Sequence, residues 1–450
     1  MEELPPSLLV EIMSRLTDST DVARCRVVSK SLNAVSYDIR SVNLVCSMSR
    51  YLKSRSPETK HLVTPFKTIF KNLVRHSTNL ESVSLGVDRA LGGISFDDVE
   101  DESDDLYLTD FNFIQDWLPS ISHALKSFSV SDFWVQSCWR RSEALSLIAS
   151  TCANLVKLVI RNAWLSVDGL CSMPTLAFLT LEFVRLDDED LSRINACFPN
   201  LTQLNLIGVG GLKEPKIDLP HLTTCQWSVS NAPVSLIICA PCLVDFDLRC
   251  VKPRLIVLDA PSLSNFNLSL EHTDELRLKN CANMQCLQLN VELECLSLGF
   301  MFGLLRHCGV VKRLTMDLGQ RRVDAVEFGL DVLLDHFPDI TYLDLGPGAW
   351  RVMENSFRRG GLEHGIGMQM LKELVAHIVV HEMEFTLAFI SSVLDKCAKL
   401  SIVSLLVHRD VDSYVAGNLI SACRTKFPRV RWRWGIWKEG IKDIWVSDGI

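Results

Sequence analysis

The chain has 450 residues and a mass of 50.6 kDa, with 48% apolar and 22% charged residues. That composition can fill a continuous core and excludes a chain disordered along its length; the length suits about three ordinary domains or one elongated repeat domain. Lys and Arg number 46 against 54 Asp and Glu, and seven of the acids (Asp97, Asp98, Glu100, Asp101, Glu102, Asp104, Asp105) fall in one short run, so the rest of the net −8 is only −1. Such a remainder lacks the broad positive field that binding a nucleic-acid backbone needs.

The start, Met1-Glu2-Glu3-Leu4-Pro5-Pro6, is acidic and proline-bearing where a signal peptide needs a basic segment and then an apolar run. No stretch approaches the ~18 apolar residues of a membrane span, so an intracellular protein of nucleus or cytoplasm, with no membrane partner, is expected. Pro5 and Pro6 suit the first turn of a helix, whose Leu8, Ile12 and Leu16 form one stripe and Leu9 and Met13 a second. Asp18-Ser19-Thr20-Asp21 predicts a capping turn into a second helix with Val22, Cys25, Val28, Leu32 and Val35 on its apolar face. So small a unit cannot bury both stripes by itself.

The opening Leu4-Pro5, the Leu8/Ile12/Leu16 stripe and the run Arg26-Val27-Val28-Ser29-Lys30 resemble an F-box. Leu32 stands where that family commonly carries tryptophan. The resemblance implies that Leu4, Pro5, Leu8, Ile12, Leu16, Val28 and Lys30 face a Skp-type adaptor and, through it, a cullin. The bland alternative is that the stripe only caps the first of the repeats that follow.

Beyond these helices an apolar-x-x-apolar-x-apolar pattern returns down the chain. It reads Leu155/Leu158/Ile160, Leu176/Leu179/Leu181 and Leu201/Leu204/Leu206, then restarts at Leu222, Leu243 and Leu263 in steps of 20 to 25 residues. Units at Met284, Val311, Ile340, Leu371, Leu400 and Val430 continue it, the last steps lengthening to about 30. Weaker units sit at Leu80 and Leu125, with extra ones at Thr273 and Leu293. Alternation over so few positions predicts one short strand per unit. Several strands follow a helical pattern that runs into proline, as before Pro199, Pro338 and Pro428, where each helix should stop.

This pattern resembles the leucine-rich repeat. The fold class expected is therefore α/β, an N-terminal helical F-box followed by a curved leucine-rich-repeat solenoid with a parallel strand face. Residues 1–45 form the F-box, 46–75 a helical linker and first-repeat helix, 76–435 the solenoid with an acidic loop at 97–105, and 436–450 a C-terminal cap. Long units have room for an outer helix; units of 20 or 21 residues have room only for a turn or extended segment. The family places Asn or Cys three residues past the last strand leucine. Cys281 fits, whereas Ala163, Val209 and Val251 do not.

Other constellations are weaker. The 16 cysteines should stay reduced inside a cell, and Cys239-Ala-Pro-Cys242 has no second pair to complete a metal site. His377 and His381, with Glu382 adjacent, match neither metalloprotease order. Bases interleave with aromatics in Arg431-Trp432-Arg433-Trp434, as on a single-strand nucleic-acid platform, but a terminal strand with Val430, Trp432 and Trp434 on one face is the simpler reading. No metal, cofactor, catalytic residue or nucleic acid is expected. The acidic run reads as a solvated loop.

An F-box joined to leucine-rich repeats implies the substrate receptor of an SCF ubiquitin ligase, binding a protein target. The alternatives are a small-molecule sensor on the same frame and a scaffold unrelated to ubiquitin. Outward strand positions give the target-facing candidates, among them Arg161, Phe178, Gln203, Asn205, Asp247 and Arg249, with Lys157, Val159, Thr180 and Glu182 beside them.

Overall fold

A computed structural model describes all residues except 1–3, 17, 78, 95–103, 229–232, 293–299, 301–303, 305–308, 320–332, 334–336, 361–369 and 448–450. The chain divides into two compact units, Met1–Asn231 and Ala232–Ile450. Among the described residues no helix is long and apolar enough to cross a membrane.

The first unit opens with three helices, α1 (Pro6–Ser14), α2 (Ser19–Val28) and α3 (Lys30–Val35). Strands then stack in parallel: Ser41–Cys46, Ser82–Val87, Ser127–Ser131, Lys157–Arg161, Phe178–Glu182, Gln203–Ile207 and Thr224–Ser228. The first of these lies across the boundary drawn at residue 45. Ile39, Val42 and Leu44 carry the repeat spacing there and are all buried. In each strand the periodic apolar residues point inward; Leu158, Ile160, Leu179, Leu181, Leu204 and Leu206 are fully enclosed. They pair in register, Leu158 beside Leu179 and Leu179 beside Leu204, so each leucine packs between those of its neighbours. The residue before the first leucine stitches repeats together: Asn154 Nδ2 donates to the His123 carbonyl at 2.9 Å, and Asn200 Nδ2 to the Pro174 carbonyl at 2.9 Å.

Among the described residues of the second unit eight strands run parallel in chain order, from Asp245–Cys250 to Arg431–Lys438, and Ile441–Ser447 closes the edge antiparallel. Short repeats return through extended segments, as expected, and these form a sheet of their own from Ser235–Cys239, Leu255–Asp259 and Glu275–Lys279. The extra unit expected at Thr273 is therefore one of these return strands. The one at Leu293 lies outside the described residues. Longer repeats return through helices, Pro347–Gly360, Met383–Lys396 and Ser413–Lys426, the last stopping before Pro428. Cys281 is buried and its Sγ faces the Lys279 carbonyl at 3.2 Å; at the equivalent place Ala163 and Val209 simply fill the core.

The reading of the acidic run changes. Most of the acidic run lies outside the described residues, but Asp105 is docked: its carboxylate accepts from the Phe66 and Lys67 N–H groups at 2.7 and 3.1 Å, capping the helix Phe66–Val74. Trp432 and Trp434 stack with ring centroids 5.6 Å apart and are buried, so their faces are closed to nucleic-acid bases. His377 directs Nε2 at Asp443 Oδ2, 3.2 Å away on the closing strand, and packs its ring edge-on against Trp437.

Candidate functional site

Two surfaces of the first unit gather the residues singled out by sequence. On α1, Pro5 is the N-cap, and its carbonyl accepts from the Leu8 and Leu9 N–H groups at 3.0 and 3.2 Å. The helix separates its two apolar stripes: Leu9 and Met13 are buried, while Leu8 and Ile12 remain 50% and 47% exposed. Asp18 caps α2 by accepting from the Thr20 N–H at 2.8 Å, as its position predicts. The expected continuation to Val35 does not form. Ser29 is extended (φ −145°, ψ 135°) and its Oγ accepts from the Leu32 N–H at 3.4 Å, so it ends α2 and caps α3. Val28 thereby leaves the buried face and is 81% exposed. Leu4, Pro5 and Lys30 are also exposed, and Leu16 is half-buried.

The inner residues of these helices fasten the unit to the sheet. Val22, Leu32 and Val35 are buried, and Ser19 Oγ accepts from the Asn43 N–H at 2.8 Å on the edge strand. Capping of the sheet and an unpartnered apolar face thus coexist, on opposite stripes of the same helices.

The second surface is a groove of about 570 Å³ over the strands Lys157–Arg161, Phe178–Glu182 and Gln203–Ile207. Register sets its rows: Lys157, Phe178 and Gln203; Val159, Thr180 and Asn205; Arg161, Glu182 and Ile207. Arg161 Nε binds Glu182 Oε2 at 2.5 Å, Arg89 reaches the same oxygen at 3.4 Å, and Asn205 Nδ2 donates to Thr180 Oγ1 at 3.2 Å. Phe178 is exposed; Val159 points into the groove as expected but is largely covered by its neighbours. Four candidates therefore share one groove. Asp247 and Arg249 belong to the second unit, where Arg249 Nη2 pairs with Asp247 Oδ2 at 3.2 Å and Asn267 Nδ2 donates to Asp247 Oδ1 at 2.9 Å.

Through Arg89, Arg161 and Glu182 the groove joins a cavity of about 620 Å³ walled by Leu91, Phe133, Trp134 and Phe183. Beside it Asp132 is wholly buried; it accepts from the Leu108 and Thr109 N–H groups and from the Thr109 hydroxyl, yet burial outweighs these bonds and pushes its carboxyl up to about 7.

Sequence reading passed over Phe183. It has φ 53°, in line with Asn162 at φ 57° and Gly208 at φ 61° on the neighbouring repeats. Each of the three follows its strand and donates its N–H across to the next repeat, Phe183 to the Ile207 carbonyl at 2.7 Å. Asn and Gly suit that left-handed backbone; for phenylalanine it costs roughly 1–2 kcal/mol. The available signal was the periodicity itself, Asn162, Phe183 and Gly208 each standing one residue past a strand.

Residues 1–46 match the F-box-like family. An F-box/LRR-repeat protein of Arabidopsis thaliana is 47% identical over 457 aligned residues, covering 99% of this chain and 100% of that protein. An F-box protein of the same plant is 23% identical over 353 residues, 76% of this chain and 74% of its own. An FBD-associated F-box protein of that plant is 27% identical over 171 residues, 37% of this chain and 36% of its own.

Proposed function

The chain belongs to the plant F-box/leucine-rich-repeat proteins, and on that premise we propose that it is the substrate-recognition subunit of an SCF-type ubiquitin ligase. Leu4, Pro5, Leu8, Ile12, Leu16, Val28 and Lys30 meet a Skp-type adaptor, which links the chain to a cullin. The strand face of the repeats holds a target protein, and the transfer chemistry resides in other subunits, with no catalytic residue, metal or cofactor in this one.

The observation that carries this reading is the split of α1. A helix that only capped the repeats would bury its apolar residues, whereas Leu8 and Ile12 stay half exposed beside a buried Leu9 and Met13. An unpartnered stripe at i, i+4 spacing is what a helix-in-groove contact uses.

Co-purification of the full chain with a Skp-type adaptor and cullin tests it. Point variants are preferable to deleting residues 1–45, because that deletion would take most of the strand Ser41–Cys46 with it. Leu8→Ala with Ile12→Ala should abolish adaptor capture; undiminished capture would refute the adaptor interface. A sensor reading draws support from the cavity, whose size lies within the small-ligand range. It requires target capture to depend on an added small molecule.

A further inference from the structure

We infer that the cavity beside Phe183 anchors target recognition, taking a bulky apolar side chain from an extended, acidic segment of the target protein. The inference rests on the receptor reading above and narrows it.

Phe183 is the first reason. An aromatic ring held in left-handed backbone while 55% exposed adds little to the core, and the repeats on either side use asparagine and glycine at that position. The structure also makes room for the ring: a Cβ on Gly208 would lie 2.6 Å from a Phe183 ring carbon. Backbone in a disfavoured region persists where surrounding structure enforces it, and such positions concentrate at binding sites. Exposed aromatics are the residues on which binding energy most often concentrates.

Shape and charge then fix the occupant. Phe133, Trp134, Leu91 and Phe183 offer apolar walls that suit a bulky apolar side chain. The cavity and the strand groove share Arg89, Arg161 and Glu182 in their walls, so a polypeptide lying along the groove can place one side chain at the cavity. Around that path stand three cations, Arg89, Lys157 and Arg161, against Glu182, which already binds both arginines. Lys157 is exposed and has no ion pair among the described residues. Asp88 adds a second carboxylate, which accepts from the Ala90 N–H at 3.0 Å, and Asp132 is buried within its own hydrogen bonds, so the path carries three cations against two solvent-reaching carboxylates. The excess cation, Lys157, favours a segment carrying carboxylates over a basic one.

The test uses the full chain bound to its adaptor, challenged with short random peptides displayed on phage. Selection should enrich peptides that combine an aromatic or leucine with several Asp or Glu residues. Phe183→Asn keeps a residue suited to the left-handed backbone, and should weaken those peptides by about tenfold or more without lowering the melting temperature or adaptor capture. Arg89→Glu, at an exposed position, should turn the selection away from acidic peptides. Equal binding to Phe183→Asn, enrichment of basic peptides, or no enrichment by a chain that still captures its adaptor would each overturn the inference and leave the receptor reading standing. Failure to capture the adaptor would instead bring down the receptor reading.

Discussion

Arg26 Nη2 donates to the Leu73 carbonyl at 3.2 Å, joining residues 47 positions apart. Its Nη1 reaches the Asn72 carbonyl at 3.3 Å, and its Nε donates to Ser36 Oγ at 2.8 Å with the guanidinium 4.8 Å from the Tyr37 ring centroid. The two carbonyls belong to the last turn of Phe66–Val74, where a helix leaves acceptors unpaired and favours a cation. Arg26 thus ties the N-terminal helices to the end of the helix Phe66–Val74, beside the apolar contacts of Val22, Leu32 and Val35. Arg26→Ala should cost about 1–3 kcal/mol in denaturant unfolding, and Arg26→Lys should recover only part of it, because an ammonium cannot serve acceptors spread around a planar fork. Unchanged unfolding by Arg26→Ala would show that the apolar contacts alone hold these helices in place.

The two stripes of α1 predict opposite phenotypes. Leu9→Ala with Met13→Ala empties buried positions and should destabilise the chain by about 2–5 kcal/mol per site. Leu8→Ala with Ile12→Ala touches exposed positions and should leave stability within about 0.5 kcal/mol, yet remove adaptor binding. Thermal melts and adaptor pull-downs on the two double variants read both effects. The same phenotype from both pairs would contradict the division of labour between the stripes.

How far the sequence revealed this follows from what each signal depends on. Strand positions were legible because apolar spacing is local and repeats: Leu176, Leu201 and Leu222 each announce a strand that begins two residues later. The strand Ser41–Cys46 was missed although Ile39, Val42 and Leu44 obey the same spacing, since it abuts a helical segment and reads as its tail. The break at Ser29 was missed because Cys25, Val28 and Leu32 keep helical spacing across it, and only the serine hydroxyl and backbone reveal the cap. Eight of the groove residues, Lys157, Arg161, Phe178 and Gln203 among them, could be named from alternation. Phe183 could not, because its unusual feature is a dihedral angle.

Asp132 predicts an unusual pH dependence. Burial raises its carboxyl from 3.8 to about 7, so the folded state holds a proton that the unfolded chain releases near pH 4. The associated stability is fully present below about pH 4 and is lost as pH rises through about 7, a change on the order of 4 kcal/mol. Asp132→Asn presents a similar shape, its amide oxygen accepting from the Leu108 and Thr109 N–H groups and its NH₂ facing the Thr109 hydroxyl. It should remove this slope. Denaturation of both proteins at about pH 5 and about pH 8 should show the wild type losing stability relative to Asp132→Asn at the higher value; parallel curves would mean that Asp132 stays ionised throughout.

Gly208 and Phe183 should be energetically coupled. Gly208→Ala carries two costs in the wild type: a left-handed backbone at φ 61° that alanine resists, and a Cβ 2.6 Å from the Phe183 ring. In a Phe183→Asn background the ring is gone and only the backbone cost, about 1–2 kcal/mol, remains. A double-mutant cycle on unfolding free energy should therefore return an interaction of about 0.5–3 kcal/mol, with Gly208→Ala less harmful in that background than beside the native Phe183. Phe183→Asn alone should be neutral or stabilising, since asparagine tolerates this backbone better than phenylalanine. Additive effects would show that the ring moves aside freely, and that the space left by Gly208 does not hold Phe183 over the cavity.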